Sequence, residues 1–350
     1  MFDEIFLLIL AGAVCLLFSW AFRTLPQEEW QILACLPGRK GPRGIWSGVN
    51  LTYYGFFNAL AYVLAVAMFL IMISSLRIPL TAALSVILPL LAVCMWASRF
   101  IARLVEKKPH TFSVGAASFV GIIAAPWIIA LANAILGKLW MVHIPFTETL
   151  TAMVIAYAFG EGIGRLACIS FGCCYGKPLA ECSPIHRRIF RRRHFVFWGK
   201  TKKITYADEL EGRAVIPVQA LTAVIYTGTG LVCLYLFLKG WAAAALMLGL
   251  ALTQTWRFVS EFLRADYRGT GHISAYQIMT LAGMTYALVF AMFNTDPYSI
   301  RPDLAHGLLS LWNPALIIFL AVLWIAAFLF TGKSSVTCSS IDIRIVGKNI

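Results

Sequence analysis

The sequence predicts an all-α polytopic membrane bundle of about nine helices with one small extramembrane lobe. Three observations carry this. The 350 residues are 60% hydrophobic and 13% charged, with a mean hydropathy of +0.79. A soluble globular chain is about 45–50% apolar and about 25% charged. The apolar residues also gather in runs of about 20, the length that crosses a hydrocarbon core of about 30 Å as a helix. Finally, the net charge of +13 is spread very unevenly along the chain. Disorder is excluded, because it needs few apolar residues and many charges. A secreted disulfide mini-protein is excluded by length.

The first run, Ile5–Phe22, follows Asp3 and Glu4 rather than a positive stretch and lacks a small-residue cleavage site. It therefore reads as a first span and not as a removed signal peptide. The next runs are Tyr54–Leu76, Pro79–Phe100, Ala117–Leu136 and Glu148–Arg165. Val218–Leu238, Trp241–Phe258, Ala275–Phe293 and Asn313–Thr331 complete the set. The fifth and seventh end in charged residues, so the count is seven to nine. There is no internal repeat and no low-complexity tract. Arg77-Ile78 and Lys239-Gly240 make tight connections, whereas Cys168–Ile216 is long enough to form the lobe.

Alternating the nine spans puts 24 Lys and Arg residues on one side and 4 on the other, with Arg165 at a helix end. By the positive-inside rule the 24-charge side is cytoplasmic. The densest stretch, His186-Arg-Arg-Ile-Phe-Arg-Arg-Arg-His194, reads as a solvated or headgroup-touching loop. No aromatic-interleaved module accompanies it, which argues against nucleic acid.

Ionisable groups within or beside an apolar span are costly and are functional candidates by default. Here they are Glu148, the pair Glu161/Arg165 and the pair Arg257/Glu261. Each pair has i, i+4 spacing and can share a helix face as a structural ion pair. Both pairs fall on the basic side. Both precede loops rich in glycine, Gly172-Cys-Cys-Tyr-Gly176 and Tyr267-Arg-Gly-Thr-Gly-His272. Two arginines at one membrane face suit a lipid phosphate, which guanidinium holds in bidentate fashion while keeping its charge. The carboxylates can orient the arginines or take a proton.

Four of the nine cysteines form Cys168-x4-Cys173-Cys174-x7-Cys182. This is not a paired C-x2–4-C zinc knuckle, and adjacent cysteines rarely chelate one ion. No metal is expected. Reduced packing residues are the plain reading. A disulfide and a thiolate activated by Arg165 and Lys177 are the alternatives. The six histidines (His110, His143, His186, His194, His272 and His306) form no HExxH motif and no nucleophile arrangement. No P-loop, dinucleotide or haem motif is present, so no cofactor is expected.

The stretch Gly164-Arg-Leu-Ala-Cys-Ile-Ser-Phe-Gly-Cys-Cys-Tyr-Gly-Lys-Pro178 resembles the signature of bacterial prolipoprotein diacylglyceryl transferases, G-R-x-(G/A)-N-F-x-N-x-E-x-x-G. Gly164, Arg165, Ala167 and Gly176 match it. Cys168, Phe171 and Cys173 replace its two Asn and its Glu. Pro217-Val-Gln219 is similar to the family's H-P-S-Q-L-Y-E, with Ile216 for the His and Thr222 for the Glu. Arg257-Phe-Val-Ser-Glu-Phe-Leu-Arg264 is close to R-F-x-x-E-F-x-R. Ala97-Ser-Arg-Phe and Phe112-Ser-Val-Gly115 match more weakly, with Val114 where the family has a His or Tyr. The resemblance covers about residues 90–293 and implies a core there with its lobe at 168–216. Residues 1–89 are then N-terminal spans, and 294–350 an additional C-terminal helix and tail.

The resemblance implies an enzyme of the bacterial inner membrane that uses phosphatidylglycerol. It moves the diacylglyceryl group to the lipobox thiol of a prolipoprotein, and glycerol phosphate leaves. Arg165, Arg257 and Glu261 match the family's lipid-binding and catalytic set. Glu161, Gln219 and Tyr175 would assist at the headgroup, and Gly172 and Gly176 would let the backbone approach it. The half that activates the acceptor is replaced, with Cys168, Cys173 and Cys174 beside it. A different acceptor for an anionic phospholipid, lipid binding without catalysis, and a thiol-redox role are the other readings. The family's signature faces the periplasm, whereas the charge count places it in the cytoplasm. A cysteine introduced by Lys203→Cys tests this. The charge count predicts that it resists an impermeant maleimide in intact cells and reacts after permeabilisation. Labelling in intact cells would place the lobe outside.

Overall fold

The computed structural model describes residues 1–41, 44–106, 114–266, 273–293 and 300–342. Helix α1 (Phe2–Thr24) is followed by strands β1 (Ile32–Lys40) and β2 (Trp46–Thr52). Helices α2 (Tyr53–Ser75), α3 (Leu80–Glu106), α4 (Val114–Trp140) and α5 (Phe146–Phe171) come next. The lobe contains a 3-10 turn (Leu179–Glu181), α6 (Pro184–Phe190), β3 (Phe195–Val196), α7 (Lys203–Asp208) and β4 (Ala214–Val215). Helices α8 (Val218–Leu238), α9 (Ala242–Leu263), α10 (Ala275–Phe293), α11 (Leu304–Ser310) and α12 (Pro314–Thr331) follow, then β5 (Ser339–Ile341). Eight of these helices are long and apolar enough to cross a membrane, and the shorter α10 is apolar over Ala275–Phe290. All nine apolar runs of the sequence are thus helices of a membrane bundle.

Several helices outrun the predicted spans, α5 and α9 among them at charged ends. Helix α5 continues past Arg165 to Phe171, and α9 continues past Phe258 to Leu263. A helix need not end at its first charge when that charge has a partner, and Arg165 is paired with Glu161 on the same helix. What stops α5 is Gly172, which caps it at φ +65°, with its N–H returned to the last turn. The sheet was not legible in the sequence. Strands β1, β2 and β5 pair antiparallel in that order, with Leu36 opposite Val49 and Trp46 opposite Ile341. Pro37 lies in the edge strand β1, where a missing N–H is tolerated.

Helix α5 is the hub. It packs most extensively against α2 and α8, and these three are the most buried of the spanning helices. Glycines set the close approach. Gly160 and Gly164 face Ala65 and Ala61 of α2, a small-xxx-small stripe. Gly162 turns to α8, where a Cβ would collide with Thr227 and press on Ala223. Helices α1 and α12 are mostly exposed and face outward.

The two ends of the bundle differ. At one end the β hairpin, the lobe, the end of α9 and the C-terminal tail are joined. Lys177 N–H donates to Leu263 O (2.9 Å), Trp198 N–H to Pro26 O (3.1 Å) and Ser334 N–H to Asn50 O (2.9 Å). At the other end Arg77 meets Asp303 at 3.3 Å and Lys239 meets Glu4 at 3.0 Å. The lobe is fastened by the buried Lys202. Its Nζ donates to Leu25 O (2.9 Å), beyond α1, and to Ser170 O (2.7 Å), on the last turn of α5. Burial lowers this ammonium from 10.5 to about 7.

Two outcomes follow from these contacts. Gly162→Leu should destabilise the bundle by about 1–3 kcal/mol, as overpacking does. Gly12→Ala, which meets nothing within 4 Å, should leave it unchanged or slightly better. Unfolding in detergent micelles reads both. For Lys202, the folded value lies below the unfolded one. Between about 7 and 10.5 the unfolded chain therefore binds a proton that the folded chain does not. Lobe docking should strengthen as pH rises through that window and be weakest, at a constant level, below it. Protease resistance of the lobe should follow that trend in the wild type and lose it in Lys202→Met.

Candidate functional site

Tyr157, Glu161 and Arg165 recur every four residues along α5 and form one stripe. Glu161 and Arg165 make a direct ion pair, with side chains only 7% and 13% exposed. Arg165 also points Nη1 at the Cys168 Sγ, 3.9 Å away, while its buried Nε has no hydrogen-bond partner. From α9, Arg257 donates Nη1 to the Tyr157 hydroxyl at 3.4 Å. That hydroxyl lies 3.4 Å from the Tyr226 hydroxyl of α8, which in turn donates to Thr253 O at 3.0 Å. Arg257, Arg165 and Glu161 are close enough for their charges to act on one another. The stripe is closed by α4, where a Cβ on Gly115 would strike the Arg257 guanidinium and the Tyr276 ring.

A second charged cluster lies just beyond α9. Arg264 grips Asp266 with two hydrogen bonds of 2.7 Å and approaches Glu261 at 3.6 Å. Glu261 also accepts from the Ser274 hydroxyl at 3.4 Å. The i, i+4 spacing suggested Arg257 as the partner of Glu261. The structure instead pairs Glu261 with Arg264, while Arg257 turns to Tyr157. The helix geometry explains this, because i, i+3 neighbours are as close as i, i+4 neighbours.

Between the two clusters runs the cysteine loop. Gly172 and Cys174 both have positive φ, +65° and +57°, so the chain doubles back as soon as α5 ends. Its far side is sewn to α9 by a bridge between Gly176 and Arg264 and by Ala265 N–H donating to Tyr175 O (3.1 Å). Gln219, buried at the start of α8, donates Nε2 to Cys173 O (2.9 Å). The turn brings the Sγ atoms of Cys168, Cys173 and Cys174 within 4.8 Å of one another. None of them is in a disulfide. The Cys174 thiol is held well below the usual range by hydrogen bonds from the Cys168 and Cys173 thiols, helped by the charges of Arg264 and Arg165.

Other residues singled out in the sequence fall into place around this centre. Tyr175 is buried in the core beside the lobe, and its hydroxyl has no hydrogen-bond partner. Gly172 and Gly176 make room for the protein itself. A Cβ on Gly172 would press on Lys202 and Ile204, and one on Gly176 on Ile216 and Val218. Cys182 lies apart from the trio and donates to Pro178 O. Glu148 is buried at the opposite end of α5. The loop Tyr267–His272, and with it His272, lies outside the described residues, as do His110 and Phe112.

Tyr157, Tyr226 and Arg264 belong to the site and were not picked out from the sequence. Tyr157 carried a usable signal, since it precedes Glu161 by one helical turn. Arg264 stood within the quoted motif but beyond the point where the apolar run ended. Tyr226 had no signal, because only the packing of α8 on α5 brings it in. The buried Nε of Arg165 leaves one guanidinium donor unspent beside Arg257, and guanidinium pairs of this kind suit an anion. Aimed at a leaving oxygen, such donors stabilise developing charge.

No curated protein matches the sequence. A family model described as prolipoprotein diacylglyceryl transferase matches residues 44–293. The match takes in α2 as well as the three motifs that bear Arg165, Gln219 and Arg257. This multi-span membrane protein belongs to the prolipoprotein diacylglyceryl transferase family, a transferase family.

Proposed function

We propose that this chain is a bacterial inner-membrane transferase. It moves the diacylglyceryl group of phosphatidylglycerol to the cysteine thiol of a prolipoprotein, and glycerol phosphate leaves. The observation that supports this most directly is the meeting of Arg165 and Arg257 from separate helices, at the bundle end that holds the lobe. Their guanidiniums bind the lipid phosphate from two directions. Tyr157 fixes the orientation of Arg257, and Glu161 that of Arg165. As the acceptor sulfur forms a bond to the glyceryl carbon, the thiol proton passes to solvent and the carbon–oxygen bond to phosphate breaks. The electron pair departs on the phosphate oxygen, where the two cations stabilise it. Gln219 acts on the cysteine loop through its hydrogen bond to Cys173 O. Glu261 acts through Arg264.

A second reading keeps the phospholipid and changes the acceptor. Two observations favour it. Val114 occupies the position at which the family carries a His or Tyr, and Arg165 and Arg257 lie toward the basic end of the bundle. By the charge rule that end is cytoplasmic.

The assay is direct. Purified protein receives phosphatidylglycerol labelled in its diacylglyceryl and headgroup parts together with a lipobox peptide. The wild type should label the peptide and release glycerol phosphate. Arg165→Ala and Arg257→Ala should each lose about 10²–10³ in rate, the cost of one lost oxyanion donor. Arg257→Lys should recover little, because lysine does not make the bidentate contact. Headgroup release without peptide labelling would establish another acceptor. Saturable lipid binding with no turnover would make the protein a lipid-binding relic of the family.

A further inference from the structure

We infer that Cys168, Cys173 and Cys174 form a three-thiolate site for a soft divalent cation of the zinc class. Its open fourth position takes the acceptor thiol. The second half of this inference rests on the thiol-acceptor reading above; the first half does not.

The sequence spacing argued against a metal, because neighbouring side chains normally diverge. The backbone here removes that objection. Positive φ at Gly172 and at Cys174 folds the loop back on the end of α5, and three sulfurs from two sides of the turn converge within 4.8 Å. A tetrahedral cation that binds each sulfur at about 2.3 Å needs them about 3.8 Å apart. Modest side-chain rotation closes that difference. The loop that carries them is held from outside. Cys173 N–H donates to Cys168 O (3.1 Å), Gln219 donates to Cys173 O, and Ile204 N–H donates to Gly172 O (3.0 Å). Such secondary contacts are what orient ligands in metal sites.

The charge around the trio also fits. Arg165 and Arg264 act on the sulfurs, but each is paired: Arg165 with Glu161, and Arg264 with Asp266 and Glu261. Counting Arg257, three cations face three carboxylates. This shell has no net charge to spare for three thiolates, whereas a divalent cation leaves the cluster at only one negative charge. The phenols of Tyr54 and Tyr206 lie near the sulfurs and add no further cation.

Three protein ligands with one vacancy is the coordination pattern of catalytic zinc, whereas structural sites are closed by four. A thiol entering that position binds through sulfur and releases its proton to solvent. The resulting metal-bound thiolate is the nucleophile, and the glyceryl carbon–oxygen bond breaks as described above.

The test uses the full chain in detergent, reduced and free of oxygen, with Co(II) and then Zn(II) as probes. One cobalt per chain should bind with sulfur-to-metal charge-transfer bands and release protons. Cys168→Ser, Cys173→Ser and Cys174→Ser should each lose those bands, while Cys338→Ser, outside the trio, should keep them. Size-exclusion profiles and lipid binding check that each variant is folded. A wild type that binds no cobalt, a folded Cys174→Ser that binds like the wild type, or a disulfide within the trio of the reduced protein would each overturn the site. A cysteine-containing acceptor peptide should shift the bands and its serine counterpart should not. If neither shifts them, the thiol half falls and the metal site stands. Turnover assays with the metal-loaded and metal-stripped protein separate the two readings. Metal binding without lipid turnover would defeat the transferase proposal alone, and equal turnover in both forms would defeat thiol activation by the metal.

Discussion

The ion pair between Glu161 and Arg165 is the constraint around which the bundle is arranged. A charge inside an apolar helix is tolerated only where a partner and other helices surround it. Helix α5 therefore sits at the centre, with α2 and α8 against it, and its glycines allow that approach. Gly160 and Gly164 seat α2, and Gly162 seats α8. The same helix then carries Tyr157, which receives Arg257 from α9. The small-residue stripe and the charged stripe thus occupy one helix for one reason. Bringing two guanidiniums together in a low-dielectric setting requires backbones that can come close.

The lobe completes this arrangement at one end of the bundle. Lys202 ties it to the end of α5 and to the segment after α1, and its buried Nζ spends its donors on two backbone carbonyls. That anchoring holds Ile204 against Gly172 and so shapes the turn on which the cysteines lie. On its other flank the loop is bridged to α9 at Arg264. The paired guanidiniums and the thiol cluster share Arg165 as a neighbour. A change in one is therefore felt by the other through a single side chain.

The bias of positive charge and the position of the site concern the same end of the molecule. The positive groups of the lobe, among them the run Arg191–Arg193, belong to the same end of the bundle as Arg165 and Arg257. A field of this sign favours anions at that face. The opposite end carries few charges, and two of its cations, Arg77 and Lys239, are in exposed pairs.

The sequence by itself determined the membrane bundle, the order of its spans, the unequal ends and the family. Each of these is written in local apolar runs, in the distribution of Lys and Arg, or in short motifs such as the one around Arg257. It also named Arg165, Arg257 and the three cysteines, because charged and sulfur-bearing residues are conspicuous against an apolar background. Tertiary structure decided which of them meet. Only the crossing of α5, α8 and α9 gives Arg257 to Tyr157 and Glu261 to Arg264. A helix offers i+3 and i+4 neighbours almost equally, and the contacts across helices choose between them. The converging cysteines were likewise hidden. Their geometry depends on two positive φ angles, and one of these falls on Cys174, a residue type with no intrinsic preference for that conformation. The three-stranded sheet joins the N-terminal hairpin to the far C-terminus, a pairing that no local pattern encodes.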